Sequence, residues 1–515
     1  MMTRLIKLLL IALTTLGVAT TSVYAAKGNP EKGREIYMKR CWWCHGEEGA
    51  ADGPAAEFLL PPPRDFTEGV YKFKSTPFDE LIPSDEDFFK MIKGGVMKEH
   101  IAGWNGMNNS SMPGWGDMLK DDEIWDLVAY LKSIVEYEQP EKGPISLGNK
   151  VSSSKESIEK GRKIFREMCS ECHGEEGRGD GTKMLKDDWG YRTWPRNLTK
   201  PWTFRMTDSV EDIYTRITVG IPGTQMPSFA DPESKKRLTD EERWHVANYV
   251  ASIAAPYKKP TENTVIKALR IEEEVPDHPS SPVWEKAEYT SFWLVPQIIA
   301  KERHFTPSLD SISVKVVYND KEIAFLLEWD DRTKSIPGDA KAEEIAAGEV
   351  YRDGVAIQLP VTVPEGSEKP YFGMGDKAKP VNIWFWQSET TTEPQRLKLL
   401  EGKGFDKVKE RDPASIGLTA KGTYDHGTWR VVMKRPLLTK EKDKDIQFVE
   451  GKFIPIAFAA WDGSNGEKGS KHELTTWYWL LLKPPVGSSV YIVPIVVAVV
   501  VLVGELLLLR RFRKD

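Results

Sequence analysis

Four cysteines stand in this 515-residue chain, and all four fall in two short motifs, Cys41-Trp42-Trp43-Cys44-His45 and Cys169-Ser170-Glu171-Cys172-His173. Two thiols one helical turn apart can form thioethers along one edge of a haem while the adjacent imidazole reaches the iron. The spacing therefore predicts covalent c-type haem attachment at Cys41 and Cys44 and at Cys169 and Cys172, with His45 and His173 as proximal ligands. No thiol remains for a disulfide, a thiolate zinc site or an iron–sulfur cluster.

The distal ligand must come from elsewhere in the chain. A thioether there caps the iron and raises its potential, which suits electron transfer better than oxygen chemistry. Met112 and Met226 are the candidates, because each precedes a proline in a Gly-rich loop just before a helical segment. Met97, His100, Met107 and His245 remain alternatives; His245 falls inside the helical segment itself.

The elements around these residues are duplicated. Glu31-Lys32-Gly33-Arg34 before the first motif returns as Glu159-Lys160-Gly161-Arg162 before the second, and Gly-Glu-Glu-Gly follows both. Pro63-Arg64 is echoed by Pro195-Arg196 and Met112-Pro113 by Met226-Pro227. Helical segments 122–134 and 240–253 close the two units, each with a Trp five residues before a Tyr. The long period describes a tandem domain pair, not a solenoid. Segments 139–154 and 256–282 are rich in Pro, Gly, Ser or charge and read as linkers. After Pro282 come short runs rich in β-branched and aromatic residues, at 312–318, 323–329, 355–361, 381–386, 429–433, 453–461 and 475–482. They predict an antiparallel β-sandwich.

The ends read as targeting segments. Residues 1–25 have the layout of a cleaved signal peptide, and export agrees with c-type haem. Residues 490–509 form an apolar run interrupted by Pro494, Gly504 and Glu505, long enough for a helix of about 30 Å, and a basic tail follows at 510–515. These features predict a single-pass anchor in the cytoplasmic (inner) membrane, with the bulk outside in the periplasm and the C-terminus cytoplasmic. The net charge of −6 disfavours nucleic acid as a partner.

Gly33 with Tyr37, and Gly161 with Phe165, match the small-and-aromatic pair at the helix crossing of class I cytochrome c, which residues 26–138 and 155–257 resemble. The likeness implies two all-α domains; Trp42-Trp43 is unusually bulky between the thiols, and shields a haem edge, docks a partner or simply fills surface. In the third region, Gly373-Met374-Gly375-Asp376, the strand Val381 to Trp386, Asp353 to Pro360, Trp429 to Leu437 and Trp461-Asp462-Gly463-Ser464 resemble the haem b domain of the ethylbenzene dehydrogenase gamma-subunit family. That likeness covers 264–484 and implies one non-covalent haem b between a Met and a neutral Lys. By position these are Met374 and Lys471, with Lys468 second.

The expected chain is multidomain: two cytochrome c domains, a mainly antiparallel β-sandwich binding haem b, and a transmembrane helix. The resemblance implies an electron-transfer subunit, not itself an enzyme. It would relay electrons between iron–sulfur and molybdenum catalytic subunits, nitrite/nitrate oxidoreductase-like in the first instance, and a soluble or membrane cytochrome. A di-haem peroxidase is the alternative enzyme, which two Met-Pro loops disfavour, and a cytochrome fused to a carbohydrate-binding-type sandwich is a third reading.

Overall fold

The computed structural model describes residues 27–59, 61–94, 112–134, 142–181, 185–205, 207–254, 260–261, 264–346, 348–405, 407–484 and 489–512. The expected signal peptide lies outside them.

In the first unit, α1 (Pro30–Arg40) is capped by Asn29, whose side chain accepts from the Lys32 amide. Helices α2 (Asp85–Lys93) and α3 (Asp121–Ile134) follow. The second unit repeats the plan as α4 (Lys155–Met168), α5 (Val210–Val219) and α6 (Asp240–Ser252). Helix α2 opens on a Ser84–Asp87 capping box and α6 on Thr239–Glu242, each satisfying backbone donors that a helix start leaves open.

The first and last helices of each unit cross at a glycine. A Cβ on Gly33 would lie 2.0 Å from the Asp126 carbonyl oxygen, and one on Gly161 would lie 2.0 Å from that of His245. No larger residue fits such an approach. One turn on, Tyr37 packs on Tyr130 with ring centroids 5.1 Å apart, and Phe165 packs on Tyr249 at 5.2 Å.

The third region holds β1 (Val265–Arg270), β2 (Thr290–Trp293), β3 (Ser311–Tyr318), β4 (Glu322–Asp330), β5 (Gly354–Pro360), β6 (Val381–Gln387) and β7 (Arg396–Gly402). After these come β8 (Val408–Arg411), β9 (Thr419–Asp425), β10 (Thr428–Pro436), β11 (Phe453–Trp461), β12 (Glu473–Leu474) and β13 (Tyr478–Leu482). The strand order is β8-β7-β6-β5-β11-β13-β1-β3-β4-β10-β9, folded so that its two halves share one core. Phe325 of β4 meets Trp384 of β6 at 5.6 Å, and Trp329 meets Trp386 at 6.3 Å. Most pairs are antiparallel, as the alternation predicts, but β1 runs parallel to both β13 and β3 and joins the two halves.

The expected transmembrane helix is not supported. Ser489–Phe512 is one helix with Pro494 inside it, yet among the described residues no helix is long and apolar enough to cross a membrane. Pro494 and Glu505 interrupt its apolar run. The single-pass placement in the inner membrane falls with it, as do the membrane contact and the cytoplasmic tail.

Candidate functional site

Both CxxCH motifs begin at the last turn of a helix: the Cys41 amide donates to the Tyr37 carbonyl at 2.8 Å and the Cys169 amide to that of Phe165 at 2.8 Å. The motif itself is a single helical turn, Trp42–His45 or Ser170–His173. Each turn ends on a glycine in a left-handed conformation, Gly46 (φ 82°) and Gly174 (φ 76°), where a Cβ would meet the carboxylate of Asp52 or Asp180 at 1.9 Å. This explains the first glycine of each Gly-Glu-Glu-Gly.

The two histidines are held alike. His45 Nδ1 lies 3.0 Å from the Arg64 carbonyl oxygen, and His173 Nδ1 lies 3.2 Å from that of Arg196. These bonds place the proton on Nδ1 and leave Nε2 as the lone-pair nitrogen that can face an iron. Burial lowers the pKa of both rings, keeping them neutral as ligation requires. Burial likewise pushes the Cys41 and Cys169 thiols up to about 12. The repeated Pro-Arg pair was visible in the sequence; its role as carbonyl anchor was not.

A cavity of about 1490 Å³ opens beside the second motif, larger than the roughly 300–1,000 Å³ of a single small-molecule site. Cys169, Cys172, His173 and Met226 line one side, and the sandwich closes the other with residues such as Leu294 and Leu309. The structure thus brings His173 and Met226 to one cavity. Arg192, Arg196, Arg205 and Arg216 converge on its walls. Arg216 Nε and Nη1 are buried without hydrogen-bond partners, and burial pushes that guanidinium down to about 10. An apolar cleft with an imidazole, a thioether, two thiols and buried guanidinium groups fits a haem with its two carboxylates. Sequence reasoning missed these arginines because they are scattered along the chain and share no motif.

In the first unit, His45 stacks on Phe66 with centroids 4.4 Å apart. Met112 is half-buried just before the Trp115 turn, whose amide donates to the Ile92 carbonyl. The alternatives Met97, His100 and Met107 lie outside the described residues. His245 belongs to the helix crossing: Nδ1 lies 2.8 Å from Ser157 Oγ and Nε2 lies 3.3 Å from Glu241.

Met374 sits on a loop beside Trp461 and Trp477 in a small apolar cluster. Its φ of 64° is left-handed, a conformation costing a non-glycine residue on the order of 1 kcal/mol. Lys471 is half-exposed and pairs with Glu302 at 3.3 Å. Lys468 donates to the Tyr351 hydroxyl at 2.5 Å. Neither lysine is turned toward iron ligation in this arrangement, since either must leave its partner and lose a proton before its amine can coordinate. Met374 is half-buried, with its thioether at the edge of an apolar cluster; the lysines as placed do not fit iron ligation.

Comparison with known families matches this division. Residues 30–134 match a cytochrome c model, 156–250 the model of cbb3-type cytochrome c oxidase subunit III, and 281–412 and 408–473 the ethylbenzene dehydrogenase model. A chain described as a respiratory nitrate reductase haem subunit, from Haloferax mediterranei, is 24% identical over 43% of this chain and 73% of its own length. The chlorate reductase subunit gamma of Ideonella dechloratans is 28% identical over 45% of this chain and 90% of its own. Among solved structures, a reducing HAO-like protein complex of Kuenenia stuttgartiensis has a chain 38% identical over 44% of this one and 98% of its own, with a TM-score of 0.39. With two haem-attachment motifs anchored alike and a β-rich region behind the second, the chain belongs to the cytochrome c families over its first two units, which carry covalent haem c, and to the ethylbenzene dehydrogenase family over its third.

Proposed function

We propose that this chain is the electron-transfer subunit of an oxidoreductase complex whose catalysis takes place on a partner chain. The observation that carries this reading is the cavity shared by Cys169, Cys172, His173 and Met226 on one side and the sandwich on the other. A bound haem supplies reversible one-electron chemistry at its iron. The chain's residues do the rest. Burial keeps His45 and His173 neutral and the Arg64 and Arg196 carbonyls orient them, Met112 and Met226 would supply the distal thioethers, and the apolar walls would exclude water. Met374 is the proposed thioether ligand of a third, non-covalent haem b, with Lys471, or Lys468 in its place, as the second ligand once released from its surface pair.

The proposed domains are 26–138, 155–257 and 264–484, after a cleaved segment at 1–25. The partners proposed are iron–sulfur and molybdenum subunits, with a nitrate- or nitrite-converting enzyme first and a chlorate-converting one next, and a cytochrome on the other side. The two named relatives, a nitrate reductase haem subunit and a chlorate reductase subunit gamma, support partners of this kind. Two distal methionines weigh against a peroxidase, which needs an open iron.

Reduced-minus-oxidised spectra of the purified full chain test the reading. Met374→Ala is expected to lose the b-type signal alone, and Met226→Ala to turn one c-type signal high-spin. A b-type spectrum unchanged by Met374→Ala would rule out that ligand, and high-spin c haem in the unmutated oxidised chain would favour the peroxidase.

A further inference from the structure

Asp331, Asp353 and Asp462 are buried together in the sandwich, and one carboxylate oxygen of each lies within 4.8 Å of the others. Most of their oxygens are occupied. Asp353 accepts from the Ser335 and Gly463 amides and from Trp429 Nε1, at 2.8 to 2.9 Å. Asp462 Oδ1 accepts from the Ser464 amide and hydroxyl. Asp331 Oδ1 accepts from the Thr333 amide and hydroxyl at 3.1 and 3.2 Å. Asp331 Oδ2, by contrast, is buried with no hydrogen-bond partner, although the residue is only 1% exposed. A buried carboxylate oxygen left without donor or cation is costly and calls for an explanation.

A second buried cluster nearby shows what compensation looks like. His304 Nε2 stands 3.3 Å from both Glu467 and Glu473, so a protonated imidazole can serve both carboxylates. Asp330, next in the chain to Asp331, is likewise served by Lys200 at 2.8 Å. Among the described residues the Asp331, Asp353 and Asp462 group has no such ion pair. Beside it lies a polar cavity of about 20 Å³, lined by Asp331 and Asp462 together with Asp310, Asp330, Asn197 and Arg332. That is room for one water-sized body.

The geometry points to a divalent cation site, of the calcium class, built on Asp331 and Asp462 with Asp353 behind them. All the donors are hard carboxylate oxygens. Calcium binds oxygen at about 2.3–2.6 Å, so three carboxylate oxygens within 4.8 Å of one another are close enough to share one ion. The cavity lies between the second cytochrome unit and the sandwich, beside Arg196, whose carbonyl accepts from His173. The cation would sit in the sandwich at its boundary with the unit whose haem motif faces it.

The test uses the full haem-loaded chain, stripped with chelator and titrated with calcium chloride, with bound calcium measured by elemental analysis after gel filtration. About one calcium per chain is expected, with a raised melting temperature and preference over magnesium. Asp331→Asn and Asp462→Asn should each weaken binding roughly tenfold or more. A folded unmutated chain that binds no calcium overturns the proposal, as does unweakened binding in both folded variants. Should a variant not fold, the stoichiometry and melting shift of the unmutated chain decide.

Discussion

The first and second cytochrome units share a helix crossing, a haem-attachment turn and a carbonyl-anchored histidine, but their surroundings differ. The second has its motif walled by the sandwich across the large cavity, and its Lys200 reaches into the sandwich to pair with Asp330. The first reaches that cavity only with residues such as Pro62, Lys72 and Phe73, and presents Trp43 of its motif 56% exposed. Between the units, Lys72 pairs with the buried Asp187 at 2.8 Å, and Arg64 stacks over Trp189 at 4.1 Å. Duplication thus preserved the chemistry of haem attachment, while position assigned the roles. One unit faces inward toward the sandwich, and the other leaves Trp43 of its motif exposed.

The largest effect should come from cutting the inward contact. Lys200 is 3% exposed, and Lys200→Ala leaves the Asp330 carboxylate with the Asn197 amide but without its cation, so about 3 kcal/mol should be lost from the second unit and sandwich in urea unfolding. A loss confined to the first unit would break the comparison. Next, Gly33→Val and Gly161→Val should each destabilise their own unit by about 1–3 kcal/mol, because both crossings are equally close. Unequal losses, read from melting of the haem absorbance, would mean the sandwich supports one crossing and not the other. Smallest in stability is Trp43→Ala, expected within about 0.5 kcal/mol of the unmutated chain. It should nevertheless slow electron exchange with an external cytochrome in stopped-flow mixing. An unchanged rate would leave Trp43 as surface filling.

Local chemistry was legible in the sequence, because one turn of helix determines what Cys41, Cys44 and His45 can do together. So were strands such as Phe453–Trp461, whose alternation or apolar density marks a buried face. The strands missed are of another kind. Arg396–Gly402 is built largely of helix-favouring Leu, Lys and Glu, and Thr419–Asp425 is mostly exposed with a glycine inside. Their pairing with neighbours decides them, not their own pattern. Val265–Arg270 read as linker because its role, joining the two halves in parallel, depends on strands far along the chain. The arginines around the second haem cavity, and the aspartates of the cation site, come together only by tertiary contact. The apolar run near the C-terminus shows the opposite error: its composition suggests a span, yet among the described residues no helix is long and apolar enough to cross a membrane.

The proposed chain carries two covalent haems and one non-covalent haem that serve electron transfer. Acid–acetone extraction of the purified full chain, with haem quantified in the extract and the pellet, tests it most directly. Two haems retained for each one extracted is the predicted result. Two retained with none extracted would contradict it and leave the sandwich without a redox group.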